Sequence, residues 1–116
     1  MILYVLFLWA LMVPLFLYAS NFAIVEVFPN TIDDKNLEYV DVKNISEEGQ
    51  SLSGYILADK RKQVRIEEDI ILKSGEIYRF QRPQTKLILN NSNEEIFLKN
   101  PENILEDSVS YESSEK

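Results

Sequence analysis

Between Asn36 and Asp59 the chain runs as two blocks of apolar positions separated by a polar, charged connection. In Glu38–Val42 the alternation is strict: Val40 and Val42 share one face, Tyr39 and Asp41 the other. That period of two belongs to a half-buried strand. Asn44 and the run Ser46-Glu47-Glu48-Gly49 suit turns and end it. Leu52–Leu57 resumes the strand pattern around Gly54, where a glycine predicts a bulge or a close backbone approach.

Similar blocks recur along the chain. Phe22–Phe28 predicts a first strand ended by Pro29-Asn30, and Thr31–Lys35 is a polar connection. Asp59–Gln63 predicts a charged hairpin tip, followed by a short edge strand at Val64–Ile66 and a brief apolar run at Ile70–Leu72. Glu76–Phe80 predicts a strand with Tyr78 and Phe80 on one core-facing side and Arg79 on the other. Lys86–Asn90 and Glu95–Lys99 predict a hairpin closed by Asn91-Ser92-Asn93, with Ile96 and Leu98 on one face. In the late turn Asn100–Asn103 no glycine is present, and Asn103 takes its role because asparagine tolerates positive φ. Asp107–Tyr111 supplies the last strand. Many short strands with turn signals between them predict an all-β sandwich.

Met1–Ala19 departs from this pattern, being uncharged and overwhelmingly apolar, and the first charged side chain is Glu26. Its length is close to the roughly 20 residues of a membrane-spanning helix. A signal peptide is supported by the small residues Ala19 and Ser20 that end it. The missing basic n-region and the bulky Leu17 two residues before Ala19 argue against one. Both readings, signal peptide and transmembrane anchor, stay open, with cleavage preferred; either one exports the domain. The expected organisation is residues 1–20 as signal peptide or anchor, 23–112 as the sandwich, and 113–116 as a frayed tail.

Composition narrows the chemistry. The 116 residues hold one domain at most. There is no cysteine and no histidine. Disulfides, thiolate zinc sites and Ser-His-Asp or Cys-His catalysis are therefore excluded. Glu67-Glu68-Asp69 are sequence neighbours at a turn, not carboxylates facing each other across a cleft. Asp33, Asp34, Glu38 and Asp41 lack the spacing of a calcium loop and read as turn-fixing residues. No catalytic, cofactor-binding or metal-binding residue is expected. The formal net charge of −7 repels phosphate backbones, so nucleic acid is not the expected partner. Asn90-Asn91-Ser92 has the form of a glycosylation sequon.

The signature Glu38-Tyr39-Val40-Asp41-Val42-Lys43-Asn44, followed by Leu52-Ser53-Gly54-Tyr55-Ile56-Leu57-Ala58-Asp59, resembles the core motif of the lamin-tail domain family. Val25–Asn30 is similar to that family's opening strand and Pro-Asn turn. Leu72–Glu76 is similar to its glycine-bearing turn, Leu87–Leu98 to its late hairpin, and Glu106–Tyr111 to its closing strand. Asp41 stands where the family often has Glu. The resemblance covers nearly all of Ile24–Tyr111 and implies an immunoglobulin-like β-sandwich.

It also implies a function. Lamin-tail domains are generally adaptors, and bacterial ones accompany exported or membrane-associated proteins. The chain is accordingly expected to be a non-enzymatic, exported adaptor that binds a protein partner at the cell envelope, held to the membrane through Met1–Ala19 if that segment is retained. The alternative is a nucleic-acid- or glycan-binding module. Candidate binding residues are the basic cluster Lys60, Arg61, Lys62 and Arg65 with the aromatic residues Tyr55 and Tyr78. For the basic cluster, the plainer reading is a solvated hairpin tip that blunts a sheet edge.

Overall fold

The computed structural model describes residues 20–29, 38–81 and 93–112. Met1–Ala19, the Thr31–Lys35 connection, the strand expected at Lys86–Asn90 with its turn and sequon, and the 113–116 tail lie outside the described residues. Within them the chain is all-β and contains no helix. Nine strands form three sheets: β1 (Phe22–Phe28), β2 (Tyr39–Asn44), β3 (Gln50–Ser51), β4 (Ile56–Ala58), β5 (Gln63–Arg65), β6 (Ile71–Leu72), β7 (Ile77–Gln81), β8 (Asn93–Lys99) and β9 (Leu105–Glu112). One sheet has the order β1-β2-β7, a second β5-β4-β8-β9, and β3 pairs with β6. Every pairing is antiparallel.

A single hydrophobic core joins the two larger sheets, which is compatible with a β-sandwich. It takes Ile24, Val40, Val42 and Phe80 from one and Leu57, Ile96 and Leu98 from the other, with Leu52, Tyr55 and Ile66 from the connections. The expected valine face of β2 and the Ile96–Leu98 face of β8 both point inward. β1 requires one irregularity. Strict alternation from Phe22 and Ile24 would drive Glu26 into the core. A bulge at Val25 shifts the register, so that Val27 packs on the core and Glu26 pairs opposite Asp41 on the outside.

Glu38, Asp41, Asn44 and Asp59 of the sequence signature are buried, and Asn44 and Asp59 have clear structural tasks. Asn44 is fully buried; its Nδ2 donates to the carbonyls of Glu48 at 2.8 Å and Leu72 at 2.9 Å, and its Oδ1 accepts from the Ser46 amide at 2.9 Å. It thereby ties β2 to the β3–β6 pair. Asp59 Oδ1 accepts from the amides of Arg61 and Lys62, both at 2.7 Å, and closes the β4–β5 turn. Gly54 has φ +84°, and a Cβ there would sit 3.2 Å from Pro101 Cβ and Cγ. The expected close approach is real, but Gly54 lies in a turn ahead of β4 and not inside a longer strand. Asn103 has φ +69°, as its place in the glycine-free late turn predicts.

The expected partner of β8, Lys86–Asn90, lies outside the described residues. Asn93–Lys99 makes its ladder with β9 along its whole length and with β4 at Phe97–Lys99. The hairpin the structure describes is therefore β8–β9, turned at Asn100–Ile104.

The two large sheets are stitched on one side. The free edge of β1 meets β9, whose carboxylates cap its amides: Glu106 Oε1 accepts from Asn21 and Phe22, and Asp107 Oδ2 accepts from Ile24 at 2.7 Å. This consumes donors that an exposed edge would offer to another chain. At the opposite side, between β5 and β7, Leu57, Ile66 and Phe80 line a cleft of about 330 Å³.

Candidate functional site

The six residues singled out in the sequence fall into three different places. Tyr55 is not a surface residue. It is 5% exposed, its ring meets Phe22 edge-on with centroids 5.0 Å apart, and its hydroxyl donates to Glu106 Oε2 at 2.9 Å. Burial, and then the bond to the Glu106 carboxylate, hold its pKa well above the ordinary tyrosine value. Tyr55 belongs to the stitched core, so a binding role for it is corrected here. Its parity with Leu57 carried the signal. Tyr78 is half-buried, edge-on to Phe80 with centroids 4.7 Å apart, and lines the β5–β7 cleft with Arg65 on the rim.

Lys60, Arg61 and Lys62 gather at the β4–β5 turn, and Arg65 lies at the far end of β5 opposite Ile56. Arg61 Nη2 lies 3.0 Å from Glu94 Oε2 and 3.9 Å from Asp59 Oδ2, and Arg65 Nη1 donates to the Gly54 carbonyl at 2.8 Å. Both guanidiniums therefore serve the fold. Glu94, beside Tyr111 in the ladder, adds to burial in raising the Tyr111 pKa. Lys60 and Lys62 are exposed and flank a shallow groove on the outer face of the four-stranded sheet. Its floor is Ala58, Phe97 and Leu105, and Lys99 stands at its side. Phe97 and Lys99 were missed in the sequence reading, although their parity, opposite to Ile96 and Leu98, was visible there.

The outer face of the three-stranded sheet carries a second arrangement that the sequence did not disclose. Register places Glu26, Asp41 and Arg79 in one row, with Phe28, Tyr39 and Gln81 in the next row. Arg79 grips Asp41 with both arms of its fork, Nε to Oδ1 at 2.8 Å and Nη2 to Oδ2 at 2.9 Å. Its guanidinium also lies over the Tyr39 ring, 3.6 Å from the centroid. On its far side Tyr39 stacks with Phe28, centroids 5.2 Å apart and planes 21° apart. The Asp41 carboxylate raises the Arg79 pKa further. Desolvation, and then a hydrogen bond with Glu26, raise that of Tyr39. Arg79 thus both stacks and forks. Ile77, 53% exposed, extends the face.

Glu67 and Glu68 are exposed, and Asp69 accepts a hydrogen bond from the Ser51 hydroxyl at 2.7 Å. Among the described residues no group of three or more acidic side chains is placed to hold a metal ion. Asp33 and Asp34 lie outside the described residues. No protein-family model and no curated protein matches the chain.

Proposed function

We propose that the chain is a non-enzymatic adaptor of the lamin-tail type, an immunoglobulin-like sandwich exported to the cell envelope or tethered there, which docks a protein partner. The observation that carries this reading is the cluster of Phe28, Tyr39, Arg79 and Asp41, from two adjacent rows on the outside of the three-stranded sheet. Exposed aromatic and arginine side chains are the residues that supply most binding energy at protein interfaces. Here they are held in place before a partner arrives, which lowers the entropy lost on docking.

The buried signature residues support the same class. Asn44, Gly54, Asp59 and Asp41 serve turns, close approaches and an ion pair, so the motif describes a scaffold on which a surface is displayed. The apolar Met1–Ala19 stretch supports export.

Fractionation of a bacterial host expressing the full chain, followed by intact mass, tests the localisation. A chain lacking its first nineteen or so residues in an exported fraction fits this reading, as does a full-length chain in the membrane. A full-length soluble chain in the cytoplasm overturns it.

A further inference from the structure

We infer that the outer face of the four-stranded sheet is a docking face for an anionic lipid surface, which lays the domain flat against the membrane that holds its tether. The inference rests on the tethered form of the function proposed above.

Three observations converge on that face. The first is its charge. By register and parity the face presents Gln63 and Arg65 from β5, Glu95, Phe97 and Lys99 from β8, and Ser108 and Ser110 from β9, with Lys60 and Lys62 at the adjoining turn. Lys60, Lys62, Arg65 and Lys99 thus outnumber the carboxylates of Glu95 on β8 and of Asp59, which lines the groove beside them, in a chain whose net charge is −7. Such a face is attracted to anionic headgroups while the rest of the molecule is repelled, which fixes an orientation.

The second is its shape. The groove is open and shallow, and its apolar floor of Ala58, Phe97 and Leu105 lies between lysines. Lysine stems with charged tips beside apolar contact area make up the surface that rests at a headgroup boundary. Leu105 is 52% exposed and offers apolar contact area there.

The third is the position of the tether. The Ser20 hydroxyl donates to the carbonyl of Glu106 at 2.6 Å, and Glu106 follows Leu105 directly in the chain. Met1–Ala19 joins the domain at Ser20. A membrane holding that segment therefore lies next to the edge of this face.

The test uses the full chain, which has no native cysteine, so that single labels can be installed at Ser108→Cys and Ile77→Cys. Ser108 is exposed and lies across from Phe97 on the face in question, whereas Ile77 lies on the outside of the other sheet. Each labelled protein is reconstituted in phosphatidylcholine vesicles containing about a quarter phosphatidylglycerol, with a nitroxide on some headgroups as quencher. Quenching at position 108 is expected to exceed that at 77 by about threefold or more, and to fall towards the level at 77 in pure phosphatidylcholine or in about 0.5 M salt. The substitutions Lys60→Glu, Lys62→Glu and Lys99→Glu together are expected to remove the difference. Equal quenching at both positions, or a difference that persists without anionic lipid, overturns the inference and leaves the adaptor reading intact. Recovery from cells of a chain that has lost residues 1–19 removes the tether and overturns the inference as well; intact mass of the same preparation separates the two failures.

Discussion

The hydroxyl of Tyr55 donates to Glu106 Oε2 at 2.9 Å while Oε1 of the same carboxylate accepts from the amides of Asn21 and Phe22 at 3.1 and 3.3 Å. One side chain of β9 thus holds the start of β1 and a core tyrosine that leads into β4. Three elements distant in sequence close one side of the molecule through it. The domain is held there by a polar latch laid over an aromatic contact, because Tyr55 also meets Phe22 edge-on.

Tyr55→Phe keeps the ring and removes the latch. The variant is expected to lose about 1–2 kcal/mol in urea denaturation, the usual cost of deleting a hydrogen bond to a charged group. A loss within about 0.3 kcal/mol would show that water replaces the hydroxyl without penalty.

The same tyrosine predicts an alkaline limit. Its folded pKa is raised, first by burial and then by Glu106, and that of Tyr111 is raised by burial and Glu94. In the unfolded chain both ionise near the ordinary value of about 10. Their contribution is therefore complete below pH about 10 and is lost as pH rises above it towards the folded values. The melting temperature is expected to hold to that pH and then fall, with a shallower fall in Tyr55→Phe. An identical alkaline profile in the variant would contradict the assignment.

Two glycines separate backbone strain from crowding. Gly54 and Gly75 have nearly equal φ, +84° and +85°, but a Cβ at Gly54 would meet Pro101 at 3.2 Å whereas at Gly75 nothing lies within 4 Å. Gly75→Ala is expected to cost about 1 kcal/mol from conformation alone. Gly54→Ala is expected to cost about 2 kcal/mol, and Gly54→Val more. Equal costs at the two sites would mean that Pro101 moves aside freely.

Asn44→Ala empties a fully buried position and removes the Nδ2 hydrogen bonds to the carbonyls of Glu48 and Leu72. A loss of about 3 kcal/mol is expected in chemical denaturation, well beyond that of an exposed change such as Glu47→Ala. A loss below about 1 kcal/mol would show that the β3–β6 pair does not depend on it.

The pair Asp41–Arg79 is expected to be non-additive. Arg79→Ala leaves a buried carboxylate without its fork, Asp41→Ala leaves the arginine stacked on Tyr39, and the double variant removes both. The double variant is expected to be less destabilised than the sum of the single ones. Simple additivity in urea midpoints would mean that the two side chains do not support each other.

Much of this fold was legible in the sequence, because local chemistry decides it. The alternation at Glu38–Val42, the turn at Asp59–Gln63, the close approach at Gly54 and the positive φ at Asn103 each follow from residues within a few positions. What escaped depends on distant pairing. The bulge at Val25 is set by Glu26 having to lie outside, opposite Asp41, which no local pattern states. Tyr55 read as a candidate surface aromatic because its partner, Glu106, lies 51 positions away. The Phe28–Tyr39–Arg79 cluster exists only once β1, β2 and β7 are aligned. The basic tip was visible, but its apolar floor was not, since Phe97 and Leu105 come from strands far along the chain.

The most direct test of the adaptor function is photo-crosslinking in the organism's own cells from a reactive residue at position 77, beside the Arg79 row, with position 68 on the exposed turn before β6 as control. The account predicts a discrete protein adduct from position 77 in the exported or membrane fraction, absent from position 68 and reduced when Arg79→Ala is introduced. No protein adduct from position 77, or the same adducts from both positions, would contradict it.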